Sequence, residues 1–157
     1  MNRRTRSVPL IGALLLAMVA AMPVQAAGPA RERDAYTDTF FDDFIFELCG
    51  IETFTTLIER WTFKAFEDGS TTLHVVRTFI PDDPRLPIEK GAATSHTAPD
   101  GTRVVTGKPT QLFDRQDGGV RLLDAGRSTF DPDGNLIRLS GQSVSLLVDD
   151  LAPYYCP

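Results

Sequence analysis

Two histidines, two cysteines and a scatter of carboxylates are the side chains of this sequence that could carry chemistry. A metal site needs ligands that cluster at short, fixed spacings. His74 and His96 fall in separate β-rich runs with no ligand spacing around them, so zinc is not expected. Asp131, Asp133 and Asn135 resemble the start of a calcium loop, but Pro132 and Gly134 are misplaced and the later glutamate is missing. Ser128, Ser140 and Ser143 lack the glycine context of a nucleophile elbow, and no phosphate-binding glycine loop opens a helix. Asp42, Asp43 and Glu47 read as an acidic rim rather than an acid–base pair. No catalytic residue, metal ligand or cofactor is therefore assigned.

One constellation is worth keeping. Trp61, Phe63, His74 and Thr78 fall on one face of an expected hairpin, where the aromatics would line a pocket and His74 would anchor a partly apolar ligand. The competing expectation is a filled core with a hydrogen-bonded histidine. Arg77 and Arg121 are the charged alternatives if the opposite face points inward.

Positioning these residues falls to β elements. Asp-Gly pairs begin at positions 68, 100, 117 and 133, each between runs rich in threonine, valine and aromatics. The stretch 118–147 is the clearest: two β runs flank Asp131-Pro132-Asp133-Gly134-Asn135, in which Gly134 closes a three-residue hairpin loop. A two-residue loop at Asp68-Gly69 would set Phe63 opposite His74, Trp61 opposite Val76 and Glu59 opposite Thr78. A slip of one residue would send one strand's side chains to the other face. Gly126 and Gly141, inside the final strands, mark bulges or corners, and a bend is expected near Gly107 and Pro109. Residues 81–87, with three prolines, form a crossover loop. Residues 39–48 are read as a strand because of their four phenylalanines, although Phe40, Phe41, Phe44 and Leu48 also fit a helical face. The expected fold is all-β, an antiparallel up-and-down meander of seven to eight strands closing into a small barrel, with a β-sandwich as the alternative.

Size and charge add the cellular setting. Arg3, Arg4 and Arg6 precede an apolar run and then Val24-Gln25-Ala26, the pattern of a Sec-type signal peptide over residues 1–26, cleaved after Ala26 or Ala27. The chain is then secreted, with no membrane span left after cleavage. Residues 27–38 read as a flexible lead-in and 39–157 as one domain. Losing the three arginines takes the formal charge from −5 to −8, which argues against nucleic acid and anionic membrane surfaces as partners. In an exported chain the even pair Cys49 and Cys156 is most simply one disulfide.

The leader, the Cys49-Gly50 before an aromatic hairpin, and the run from Asp124 to Asn135 resemble a group of uncharacterised small secreted β-barrel proteins of high-GC Gram-positive bacteria. That resemblance implies export and a β fold and carries no activity. The build is more distantly similar to the eight-stranded barrels of the allene oxide cyclase and dirigent type, with no catalytic motif to transfer. Three functions follow as expectations. The first is an exported, non-catalytic binding module for a small, partly apolar ligand or surface molecule. The second is a self-associating interaction protein with a filled barrel, for instance a homodimer. The third is a barrel-pocket isomerase or cyclase.

Overall fold

The computed structural model describes residues 28–157. The expected signal peptide and its cleavage site lie outside them. Seven strands form one antiparallel sheet in chain order: β1 (Ala30–Phe41), β2 (Phe54–Ala65), β3 (Thr71–Pro81), β4 (Ile88–Thr97), β5 (Arg103–Phe113), β6 (Val120–Phe130) and β7 (Leu136–Ser143). The meander is as expected. Closure is not: β1 pairs only with β2 and β7 only with β6, so the sheet is open, and with all strands in one sheet it is not a sandwich either. Among the described residues no helix is long and apolar enough to cross a membrane.

Three hairpins share one turn. In Glu67-Asp68-Gly69, Pro99-Asp100-Gly101 and Pro132-Asp133-Gly134 the glycine takes a positive φ of 82°, 87° and 88°. Its N–H donates to the carbonyl three residues earlier, Phe66, Ala98 or Asp131. Each is a three-residue loop that ends on a left-handed glycine. The β2–β3 register follows from this loop length. Phe63 pairs with Leu73, Trp61 with Val75 and Glu59 with Arg77, one residue away from the expected pairing.

Two segments depart from the sequence reading. Residues 30–38, which fall in the expected lead-in, pair with β2 from Ala65 to Leu57. Of residues 39–48, expected as strand, 39–41 complete β1, while 43–48 belong to helix α1 (Asp43–Cys49). Its caps explain the outcome. The Asp42 carboxylate accepts the Ile45 N–H at 3.0 Å, and Gly50, at φ 67°, donates its N–H to the Phe46 carbonyl. Capped at both ends, the segment turns Ile45 inward as a helix rather than alternating as a strand.

The core sits at one end of one face. Leu112 of β5 and Leu122 of β6 are completely or almost completely buried, together with Ile45 of α1, Leu86 of the β3–β4 loop and Tyr155 of α2 (Ala152–Tyr155). We call this the inner face. The disulfide Cys49–Cys156 joins α1 to α2 across a sequence separation of 107 and ties down the cover. Further along the same strands, Gly107, Gly126 and Gly141 pair in a row across β5, β6 and β7, all with positive φ. A Cβ at Gly126 would collide with the Ser140 carbonyl, so the strands approach too closely for any other residue. The register also shifts between Gly107 and Thr110, beside the bend expected at Pro109.

Candidate functional site

Side chains of a strand alternate between faces, so the register decides which residues can meet. The inner face carries Glu59, Trp61 and Phe63 from β2 beside Leu73, Val75 and Arg77 from β3. The expected grouping of Trp61 and Phe63 with His74 and Thr78 is therefore split. Trp61 and Phe63 point inward, whereas His74, opposite Thr62, and Thr78, opposite Ile58, point outward. The three-residue loop at Asp68-Gly69 is the physical cause, and Leu73 and Val75 take the places that His74 and Val76 were expected to fill.

Together these residues form a trough of two adjoining hollows. One, of about 340 Å³, is lined by Glu32, Glu59, Trp61, Phe63, Leu73 and Val75. The other, of about 360 Å³, shares Glu59, Leu73 and Val75 and continues past Arg77 and Ala93 to Val105 and Pro109. Gly91 shapes the second hollow: a Cβ there would lie 3.3 Å from the Arg77 side chain and collide with the Pro109 carbonyl. The walls are thus aromatic and aliphatic, with charged groups at defined points.

Those charged groups differ in character. On the open side the Tyr36 hydroxyl donates to Glu59 at 3.1 Å, and that contact holds the exposed phenol above its ordinary pKa. Towards the core, Arg77 lies 3.5 Å from Glu89, which also accepts the Tyr155 hydroxyl at 2.9 Å. Burial pushes the Glu89 carboxyl up from its ordinary value, against the opposing pull of the Tyr155 hydrogen bond and the Arg77 charge. Burial and the neighbouring Glu89 push the Tyr155 phenol up as well, so it stays a hydrogen-bond donor. Sequence reading did not find this Arg77–Glu89–Tyr155 chain. Its only signal was a glutamate alternating into an inward position beside Gly91. Arg121, the other charged alternative, is not in the trough: it pairs with Asp114 at 2.6 Å and donates to the Cys156 carbonyl, fastening the C-terminus.

On the outer face the Thr94 hydroxyl lies 3.0 Å from His74 Nδ1 and the Thr72 hydroxyl 3.2 Å from His96 Nδ1. The acidic run at Asp42 proves to be a cap and a brace, since Asp42 also accepts the Thr55 hydroxyl at 2.6 Å. Asp131 and Asn135 bond to each other within their hairpin. Among the described residues no three histidine, cysteine or acidic side chains converge as metal ligands. Comparison with protein-family models, with curated proteins and with solved structures gives no match.

Proposed function

We propose that this chain is an exported, non-catalytic binding module whose ligand is small, partly apolar and held in the inner-face trough. One observation carries the reading. Trp61, Phe63, Leu73 and Val75 form a continuous apolar wall beside open hollows of about 340 and 360 Å³, although the same face is tightly packed at its other end. Apolar concave walls with a few placed polar groups are the usual form of a small-molecule site. Glu59, half-buried and already accepting one hydrogen bond, suits a ligand head that donates hydrogen bonds or bears positive charge. The disulfide fits an oxidising, extracytoplasmic setting.

Trp61 is the only tryptophan of the chain, so its fluorescence reports the trough directly. Medium-chain alkylamines, alkylcarboxylates and alcohols are titrated against the wild type, Phe63→Ala and His74→Ala, with native mass spectrometry to detect any retained mass. Saturable change with one probe class, weakened at least tenfold by Phe63→Ala and untouched by His74→Ala, is the expected result. Loss on His74→Ala with none on Phe63→Ala would sink the inner-face site.

A second reading, self-association, has its own support. β1 runs for twelve residues with only β2 beside it and is exposed almost throughout. Such an edge invites a further strand from a second copy. Sedimentation at micromolar concentration separates the two: a monomer with a ligand-responsive Trp61 favours the trough, and a dimer broken by Tyr36→Pro favours the edge.

A further inference from the structure

The outer face of the sheet has a property that the acidic net charge conceals. In the register, Arg31 and Arg33 of β1 share this face with Arg60 and Lys64 of β2. Further along it stand Lys90 of β4, Lys108 of β5, Arg127 of β6 and Arg138 of β7. No outward strand position holds an aspartate or glutamate. The strand carboxylates Glu32, Asp34, Asp38, Glu59, Glu89 and Asp124 all fall in the inward register. The remaining acids lie in α1 and the loops. Among the described residues none of the eight outward cations has a carboxylate within 4.0 Å.

These cations form rows across the sheet. One row runs Arg31, Lys64, Thr72, His96, Val104, Thr129, Arg138 from β1 to β7. The next begins at Arg33 and reaches Arg127 through Thr62, His74, Thr94 and Thr106. Six strand spacings make the first row about 29 Å long, and five make the second about 24 Å. A hollow of about 590 Å³ opens where Arg33, Arg60 and His74 converge; Asp34 is the carboxylate at its rim, and its Oδ1 is occupied by the Ala35 N–H.

We infer that this outer face docks an anionic polysaccharide, laid across the strands along these rows. Charge complementarity selects an anionic partner, because unpaired cations of one sign concentrate opposite charge at a surface. The intervening residues select among anions. In each row the cations stand towards the two ends, with threonines and a histidine between them, which suits a polymer of hydroxylated units with charges well apart. Nucleic acid would place a phosphate on every unit and would want broad aromatic faces for its bases, whereas the rows offer only the imidazoles of His74 and His96, each held by a threonine hydroxyl. A bilayer would want apolar side chains to insert, yet the exposed apolar residues of β2 on this face, Ile58 and Phe54, lie further along the strand towards α1, clear of both rows.

The test measures binding of the full chain to hyaluronate, which bears one carboxylate per disaccharide, and to uncharged dextran, single-stranded DNA and vesicles containing phosphatidylglycerol, from 20 to 300 mM salt. Expected is binding to hyaluronate alone, weakening steadily with salt. The variant R31Q/R33Q/R127Q/R138Q should lose at least tenfold in affinity and show a shallower salt slope, with its far-ultraviolet spectrum unchanged. R85Q, which removes a loop cation, should bind as the wild type does. R33Q/R60Q provides a smaller set should the fourfold variant fail to fold, and a severalfold loss is expected there. Equal loss in R85Q, wild-type binding by both multiple variants, or binding of DNA or vesicles as tight as that of hyaluronate would each overturn the inference.

Discussion

The two ends of the inner face are built from the same kind of strand and behave differently. At one end Leu112 and Leu122 lie under α1, α2 and the β3–β4 loop, almost sealed from water. At the other, Leu73 and Phe63 pair across β2 and β3 with no helix or loop of the described residues packed over them, and Leu73 is 36% exposed. Alternation of apolar residues places side chains on a face, but only a covering element turns the face into a core. The cover consists of short pieces (a two-turn helix, a loop and a C-terminal turn), and a covalent bond fastens two of them. The open half has the pattern of a core and the accessibility of a site.

The sharpest way to break this comparison is to release the cover. Cys49→Ala with Cys156→Ala frees a loop closed across 107 residues. Chain entropy sets the loss at up to about 4–5 kcal/mol, read as a lower urea midpoint. The open half should follow only because the whole sheet unfolds. Next comes a matched pair on the same face. Leu112→Ala should cost about 2–5 kcal/mol through the cavity it leaves. Leu73→Ala should cost less than about 1 kcal/mol, because water already reaches that side chain. Equal losses at the two leucines would mean that the trough is packed in solution, and the binding proposal would fall with it.

How much of this was legible in the sequence depends on whether a feature is local. The Asp-Gly turns, the meander and the cysteine pair are written in short stretches or in plain arithmetic. The register was within reach too. The loop chemistry assigned at Gly134 also applies at Gly69, and reading Asp68-Gly69 as a two-residue turn moved His74 to the wrong face. Helix α1 carried its caps, Asp42 and Gly50, but four phenylalanines drew attention to β propensity instead. β1 reads as a polar lead-in because both of its faces meet solvent, so no apolar period marks it. The open sheet could not be read at all, since whether first and last strands meet depends on accumulated bend and leaves no local signal. The basic outer face was hidden by summation: a net charge adds two faces of opposite sign.

A last comparison uses two glutamates of the inner face, one at each end. Glu89 sits near the core, and burial raises its pKa. The folded protein therefore keeps the Glu89 proton to a higher pH than the unfolded chain does. Through that window unfolding releases a proton, so stability falls as pH rises from the ordinary carboxylate value to the raised one, and it stays lower above it. Glu89→Gln cannot ionise and should flatten this decline between pH 4 and 8, while its amide still accepts the Tyr155 hydroxyl. The urea midpoint as a function of pH reads the effect. Glu59→Gln, at the open end, loses one contact with an exposed tyrosine and should change stability by no more than about 0.5 kcal/mol. A flattened profile from Glu59→Gln, with none from Glu89→Gln, would mean that the covered end of the sheet is the wetter one.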